Sequence, residues 1–122
     1  MTFCIVGRGR IGQALHKVSN SFPLMSARQD GYEKLVAASA ADGFKVLIAA
    51  RDRTASPLAN IALLDSISRD LISAGVPTES ILHCGSYAVG NPHESNYQIE
   101  KQVLEQLVRA GTLPGHVLRL PR

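Results

Sequence analysis

Residues 3–12 read Phe3-Cys4-Ile5-Val6-Gly7-Arg8-Gly9-Arg10-Ile11-Gly12. An apolar run of strand length meets a glycine-spaced turn, and Ile11, Leu15 and Val18 then recur at helical spacing. The unit is strand, tight turn, helix, and the rest of the chain repeats it. The first helix breaks near Asn20 and Pro23. Leu24 to Ala27 fits only an edge strand, because Pro23 lacks a ladder donor. Asp30 and Glu33 form a capping-box pattern ahead of Tyr32, Leu35, Val36 and Ala40, in a helix closed by Gly43. Val46 to Ala50 is a continuous apolar run, as expected of a strand buried on both faces. Ser56 as N-cap and Pro57 at the first helical position open a long helix whose buried stripe is Ile61, Leu64, Ile67 and Leu71. It stops at Gly75, with Pro77 beyond. Ile81 to Cys84 is a fourth strand, and a polar loop from Gly85 to about Asn96 follows. The last helix takes Ile99, Val103, Leu104, Leu107 and Val108 as apolar positions, and His116 to Leu120 is a fifth strand. Strands alternating with helices predict an α/β fold, a doubly wound parallel sheet of about five strands, Rossmann-like. The first strand is expected beside the third, with the strand order reversing between them.

The 122 residues suffice for one domain, spanning 1–122, and exclude two. Hydrophobic residues at 45% and charged residues at 19% are a globular balance. No apolar run approaches the length that spans a bilayer, and the start of the chain lacks the pattern of a secretory leader. A soluble, cytoplasmic protein is expected, with no membrane partner. The formal charge is +3, but the Lys and Arg are scattered and no basic aromatic-rich face is visible, so no nucleic-acid partner is expected. Cys4 and Cys84 lie inside apolar runs, where a thiol behaves as a small buried hydrophobe. Both are expected free, in non-adjacent strands separated by the third. No metal site is expected: no CxxC or HExxH occurs, and a strand places His83 and Cys84 on opposite faces.

Ligands of open parallel sheets sit at the carboxyl ends of the strands, so the loops after Val6, Ala50 and Cys84 are the places to seek chemistry. The first of these is a GxGxxG with a strand before it and a helix after it. Gly7 permits the tight turn, Gly9 lets the backbone approach a pyrophosphate, and Gly12 allows close helix packing, with Arg8, Arg10 and Ile11 between them. The helix N-terminus attracts the anion. After the second strand, where an acid usually takes the ribose hydroxyls, the chain reads Ser26-Ala27-Arg28-Gln29. The missing acid and the Arg28 cation point to a 2′-phosphate, hence NADP ahead of NAD. Arg8 and Arg10 are placed to assist.

Tyr97 and Lys101 are one helical turn apart in the last helix, so the ammonium can lie near the phenol and lower its pKa from about 10. Lys101 falls at the border of the buried stripe, beside Leu104 and Val108. Ser86 follows the fourth strand at the ligand edge of the sheet. With Ile81 to Gly90, then Tyr97 to Lys101, and the closing His116 to Arg122, the whole chain resembles the short-chain dehydrogenase/reductase superfamily. The likeness is nearest to its extended branch of nucleotide-sugar epimerases, dehydratases and dTDP-4-dehydrorhamnose reductase-like proteins. The resemblance implies Tyr97 as general acid/base. Lys101 would lower the pKa of Tyr97 and hold the nicotinamide ribose, and Ser86 would hydrogen-bond the substrate oxygen. Asn60 loosely matches an asparagine of extended members. The chain departs from that branch in its glycine spacing, where GxxGxxG is usual, and in the short interval from Ser86 to Tyr97. It also ends where the family continues into another strand and a sugar-nucleotide-binding lobe.

Two functions are therefore expected. One is an NADP-dependent oxidoreductase or epimerase-type domain acting on a nucleotide-linked sugar and lacking the substrate lobe. The alternative is a non-catalytic dinucleotide-binding module, regulatory or scaffolding. The last strand leaves an unpaired sheet edge and the active-site loops open, which a second copy would cover, so a homo-oligomer is expected.

Overall fold

The computed structural model describes residues 3–7, 45–52, 54–86 and 95–120, with the side chains of Phe3, Ser86, Ser95 and Leu120 excepted. Within them the fold is α/β. Four strands, β1 (Phe3–Val6), β2 (Lys45–Ile48), β3 (Ile81–Ser86) and β4 (His116–Leu120), form one parallel sheet in the order β1-β2-β3-β4. Helix α1 (Pro57–Ser73) crosses from β2 to β3, and α2 (Ser95–Arg109) from β3 to β4. The two helices pack on each other and on one face of the sheet. The first and third strands of the sequence reading are the neighbours β1 and β2, as expected. The expected strand at 24–27 and the helices at 11–20 and 30–43 lie outside the described residues. No helix among the described residues is long and apolar enough to cross a membrane.

Helix α1 begins and ends for identifiable reasons. Ser56 is extended and its hydroxyl accepts from Ala59 N at 3.2 Å, and Pro57, which has no amide hydrogen to satisfy, takes the first helical position. At the other end Gly75 has φ 110°, with Gly75 N donating to Ile72 O and Val76 N to Leu71 O. That is a Schellman closure, completed by burial of Val76 against the core that holds Leu71. Gly111, at φ 79°, closes α2 in the same manner, with Thr112 N donating to Leu107 O. Ile61, Leu64, Ile67 and Leu71 are all buried, facing Cys4, Val6, Val46, Ile48 and Ile81 of the sheet. Ile5 and Leu47, on the opposite pleat, are also buried, so β1 and β2 are enclosed on both faces.

Three sequence expectations shift. The third strand ends at Ile48, two residues early: Ala49 N still donates to Val6 O at 2.8 Å, and beyond it the backbone of Ala49 and Ala50 lies against Gly7. The fourth runs on through Ser86, pairing with Leu120, so Ser86 ends a strand and does not follow one. In α2, Ile99 is 49% exposed while Gln98, Glu100 and Lys101 are buried: the N-terminal turns of this helix face a polar cluster and not the apolar core. Cys4 and Cys84 are buried thiols in no disulfide, with β2 between their strands, as expected.

Candidate functional site

The carboxyl ends of the strands bring the site together. Gly7, directly after β1, has φ 135°, and a Cβ there would meet the backbone of Ala49 and Ala50 at 2.9 Å. Both its dihedral and its close approach to the end of β2 demand glycine. The chain leaving that contact is Arg51. Its Nε donates to Glu100 Oε2 at 2.8 Å, and its guanidinium carbon sits over the Tyr97 ring, 5.1 Å from the centroid. Lys101 Nζ lies over the same ring at 5.4 Å. Two cations from different elements thus converge on one aromatic side chain, an arrangement favoured by the negative face of the ring.

A hydrogen-bond relay fixes this cluster. Asn60, 1% exposed on the first turn of α1, accepts from Asp52 N at 2.8 Å, and its Nδ2 donates to Asp52 O at 2.9 Å and to Glu100 Oε1 at 2.9 Å. Glu100, 1% exposed, therefore receives one bond to each carboxylate oxygen, from Arg51 and from Asn60, and ties α2 to both β2 and α1. Enclosing a carboxylate is costly unless it is met in this way. The Asp52 carboxylate is engaged elsewhere: Oδ1 accepts from Thr54 Oγ1 at 2.7 Å and Thr54 N at 2.9 Å, and the Thr54 hydroxyl holds its pKa below the usual 3.8.

Lys101 is 5% exposed, and among the described residues none accepts a hydrogen bond from Nζ. Burial holds its pKa below the ordinary 10.5, against the pull of Cys84 and Glu100. Cys84 is no counter-ion at neutral pH, since burial pushes its thiol up to about 11 despite the nearby Lys101 charge. A largely buried ammonium beside a phenol ring, with no acceptor among the described residues, suits the hydroxyls or negative oxygens of a bound molecule.

Of the residues singled out from sequence, Gly7, Tyr97 and Lys101 are thus on one edge, and the Ser86 backbone ends β3 on that edge. Arg8, Gly9, Arg10, Ile11, Gly12 and Arg28 lie outside the described residues. The sequence reading passed over Arg51 and Glu100 and gave Asn60 little weight. Signals existed: Arg51 directly follows the apolar run ending at Ala50, one of the three ligand loops, and Glu100 shares the Tyr97, Lys101 and Leu104 stripe. A separate groove of about 670 Å³ between α2 and β4 shares no residue with this cluster, and its Arg119 and Glu105 pair with each other at 2.7 Å.

Compared with protein-family models, curated proteins and solved structures, the chain matches none of them.

Proposed function

We propose that this chain is a dinucleotide-binding domain of the short-chain dehydrogenase/reductase kind, Rossmann-like and doubly wound, with Tyr97 as its general acid/base. The observation that carries the reading is the Tyr97 and Lys101 pair at the carboxyl edge of the parallel sheet, with the buried ammonium over the phenol ring. The Gly7 turn on the same edge and the GxGxxG that it opens would take the pyrophosphate. NADP is the preferred cofactor, on the strength of Arg28 in the sequence.

A bound nicotinamide supplies or accepts the hydride. The phenol of Tyr97 gives its proton to the substrate oxygen on reduction and recovers it on oxidation. Positive charge from Lys101 favours the phenolate in the return direction. Ser86, at the end of β3, is the candidate hydrogen-bond donor to the substrate oxygen. Glu100, held by Arg51 and Asn60, fixes the first turns of α2 and with them the position of Tyr97. A nucleotide-linked sugar is the substrate class that the resemblance suggests.

The test follows the absorbance of reduced nicotinamide with keto-sugar nucleotides. Consumption by the wild type that disappears in Tyr97→Phe, with cofactor affinity kept within a few-fold, is the expected result. Undiminished rates in Tyr97→Phe would remove the catalytic role. Cofactor binding without turnover would favour a non-catalytic, nucleotide-sensing module.

A further inference from the structure

Around Tyr97 the described residues contribute two positive charges, Arg51 and Lys101, and one enclosed carboxylate, Glu100. Both oxygens of that carboxylate already accept hydrogen bonds. Asp52 is turned to Thr54, in the loop after Arg51. Among the described residues the cluster is therefore one negative charge short, at the edge of the sheet where ligands of such folds bind. Arg51 uses only Nε on Glu100, its side chain is 23% exposed, and among the described residues no group accepts from its two terminal nitrogens. That remaining fork is planar and charged, and its geometry matches a pair of oxygens on a carboxylate or a phosphate. Glu100 holds the inner edge of the guanidinium and, as the nearest carboxylate, competes for its charge with any anion at the outer edge.

We infer that Arg51 is the docking point for an anionic oxygen group, a carboxylate or a phosphate, carried by a ligand of the Tyr97 centre. The inference rests on the function proposed above for which ligand is meant, while the anion site itself stands on the charge count among the described residues and on terminal nitrogens of Arg51 from which no described group accepts. Lys101 adds its field from the other cationic position on the ring, so the anion also offsets part of the cost of enclosing that ammonium.

Inorganic phosphate and oxalate are the probes, titrated calorimetrically into the full chain. Arg51→Gln is expected to weaken both roughly 10- to 100-fold, the range for losing charge-assisted hydrogen bonds. Arg51→Lys keeps the charge and loses the fork, so it falls between the two. Glu100→Gln keeps an acceptor for Asn60 but removes the internal competitor for Arg51, and it should tighten phosphate by a few-fold, a gain that damage to the fold would not produce. Tyr97→Phe should leave phosphate binding unchanged. Equal losses in Arg51→Gln and Glu100→Gln, or indifference to Arg51, would overturn the assignment.

Repeating the titration with saturating NADPH separates the sources: competition assigns the anion to the dinucleotide, and binding alongside it assigns the anion to the substrate. Turnover dependent on Tyr97 with phosphate binding indifferent to Arg51 would remove the anion site and keep the reaction. Phosphate held by Arg51 in a protein that binds no dinucleotide would do the reverse.

Discussion

His83 and Lys101 are both ionisable, both buried, and both held below their ordinary pKa by burial. Their surroundings differ. His83, in the middle of β3, donates from Nε2 to Pro114 O at 2.8 Å and lies 3.4 Å from the Ser68 hydroxyl, which itself donates to Leu64 O. Its Nδ1 has no partner, as suits a neutral ring whose proton sits on Nε2. This group ties the α2–β4 connection to the sheet and α1 and, as a neutral ring, adds no charge for a ligand to balance. Lys101 instead sits with a second cation, a shared aromatic ring and one fully engaged carboxylate, at the carboxyl edge. Burial alone therefore does not mark a functional group. The distinguishing sign is charge left unbalanced where the fold opens.

The largest expected effect separates the two regions by activity. Tyr97→Phe removes only the proton donor and should lower turnover roughly 100-fold or more, whereas His83→Gln should leave turnover per folded molecule unchanged. Steady-state rates on both variants, normalised to folded protein by circular dichroism, decide this; equal losses would erase the contrast. Next in size is Glu100→Ala, which strips partners from Arg51 and Asn60 and should cost about 2–3 kcal/mol of stability. Urea unfolding measures it, and a loss within error of zero would show that the relay does not anchor α2.

Smaller, and specific to His83, is a pH effect. Its folded pKa lies below the unfolded 6.5, so the unfolded chain binds the proton first and stability falls as pH drops from 6.5 towards the folded pKa. The slope in that window should reach at most about 1.4 kcal/mol per pH unit. It should flatten by one proton in His83→Gln, and an unchanged slope in that variant would contradict a buried neutral ring. Lys101 obeys the same sign in another window, with stability rising as pH climbs from its folded pKa to 10.5. The smallest effect belongs to neither cluster. Ser56→Ala removes the cap on Ala59 N and should cost about 1 kcal/mol with no change in ligand binding; a change in binding would mean that the start of α1 is coupled to the site through Asn60.

The helix boundaries were legible because their signals are local: Ser56 and Pro57 at the start of α1, Gly75 at its end, and the stripe from Ile61 to Leu71. The neighbourhood of β1 and β2 was legible from the alternation of strands and helices, which in a parallel sheet of this kind sets the first strand beside the third. Ile99 was misjudged and Glu100 missed for one reason. Periodicity ranks residues by hydrophobicity, whereas the first turns of α2 face Arg51 and Asn60, which arrive from β2 and α1 and are distant in sequence. Tyr97 and Lys101 were found because their pairing is confined to one turn of one helix.

The central claim is that a dinucleotide lies across this edge in contact with Lys101. Calorimetric titration of NADPH and NADH into the wild type and Lys101→Ala tests it most directly. The expected result is NADPH bound more tightly than NADH, with roughly tenfold weaker binding in the variant as the charged contact is lost. Absence of binding by the folded wild type, or affinities identical in Lys101→Ala, would contradict it.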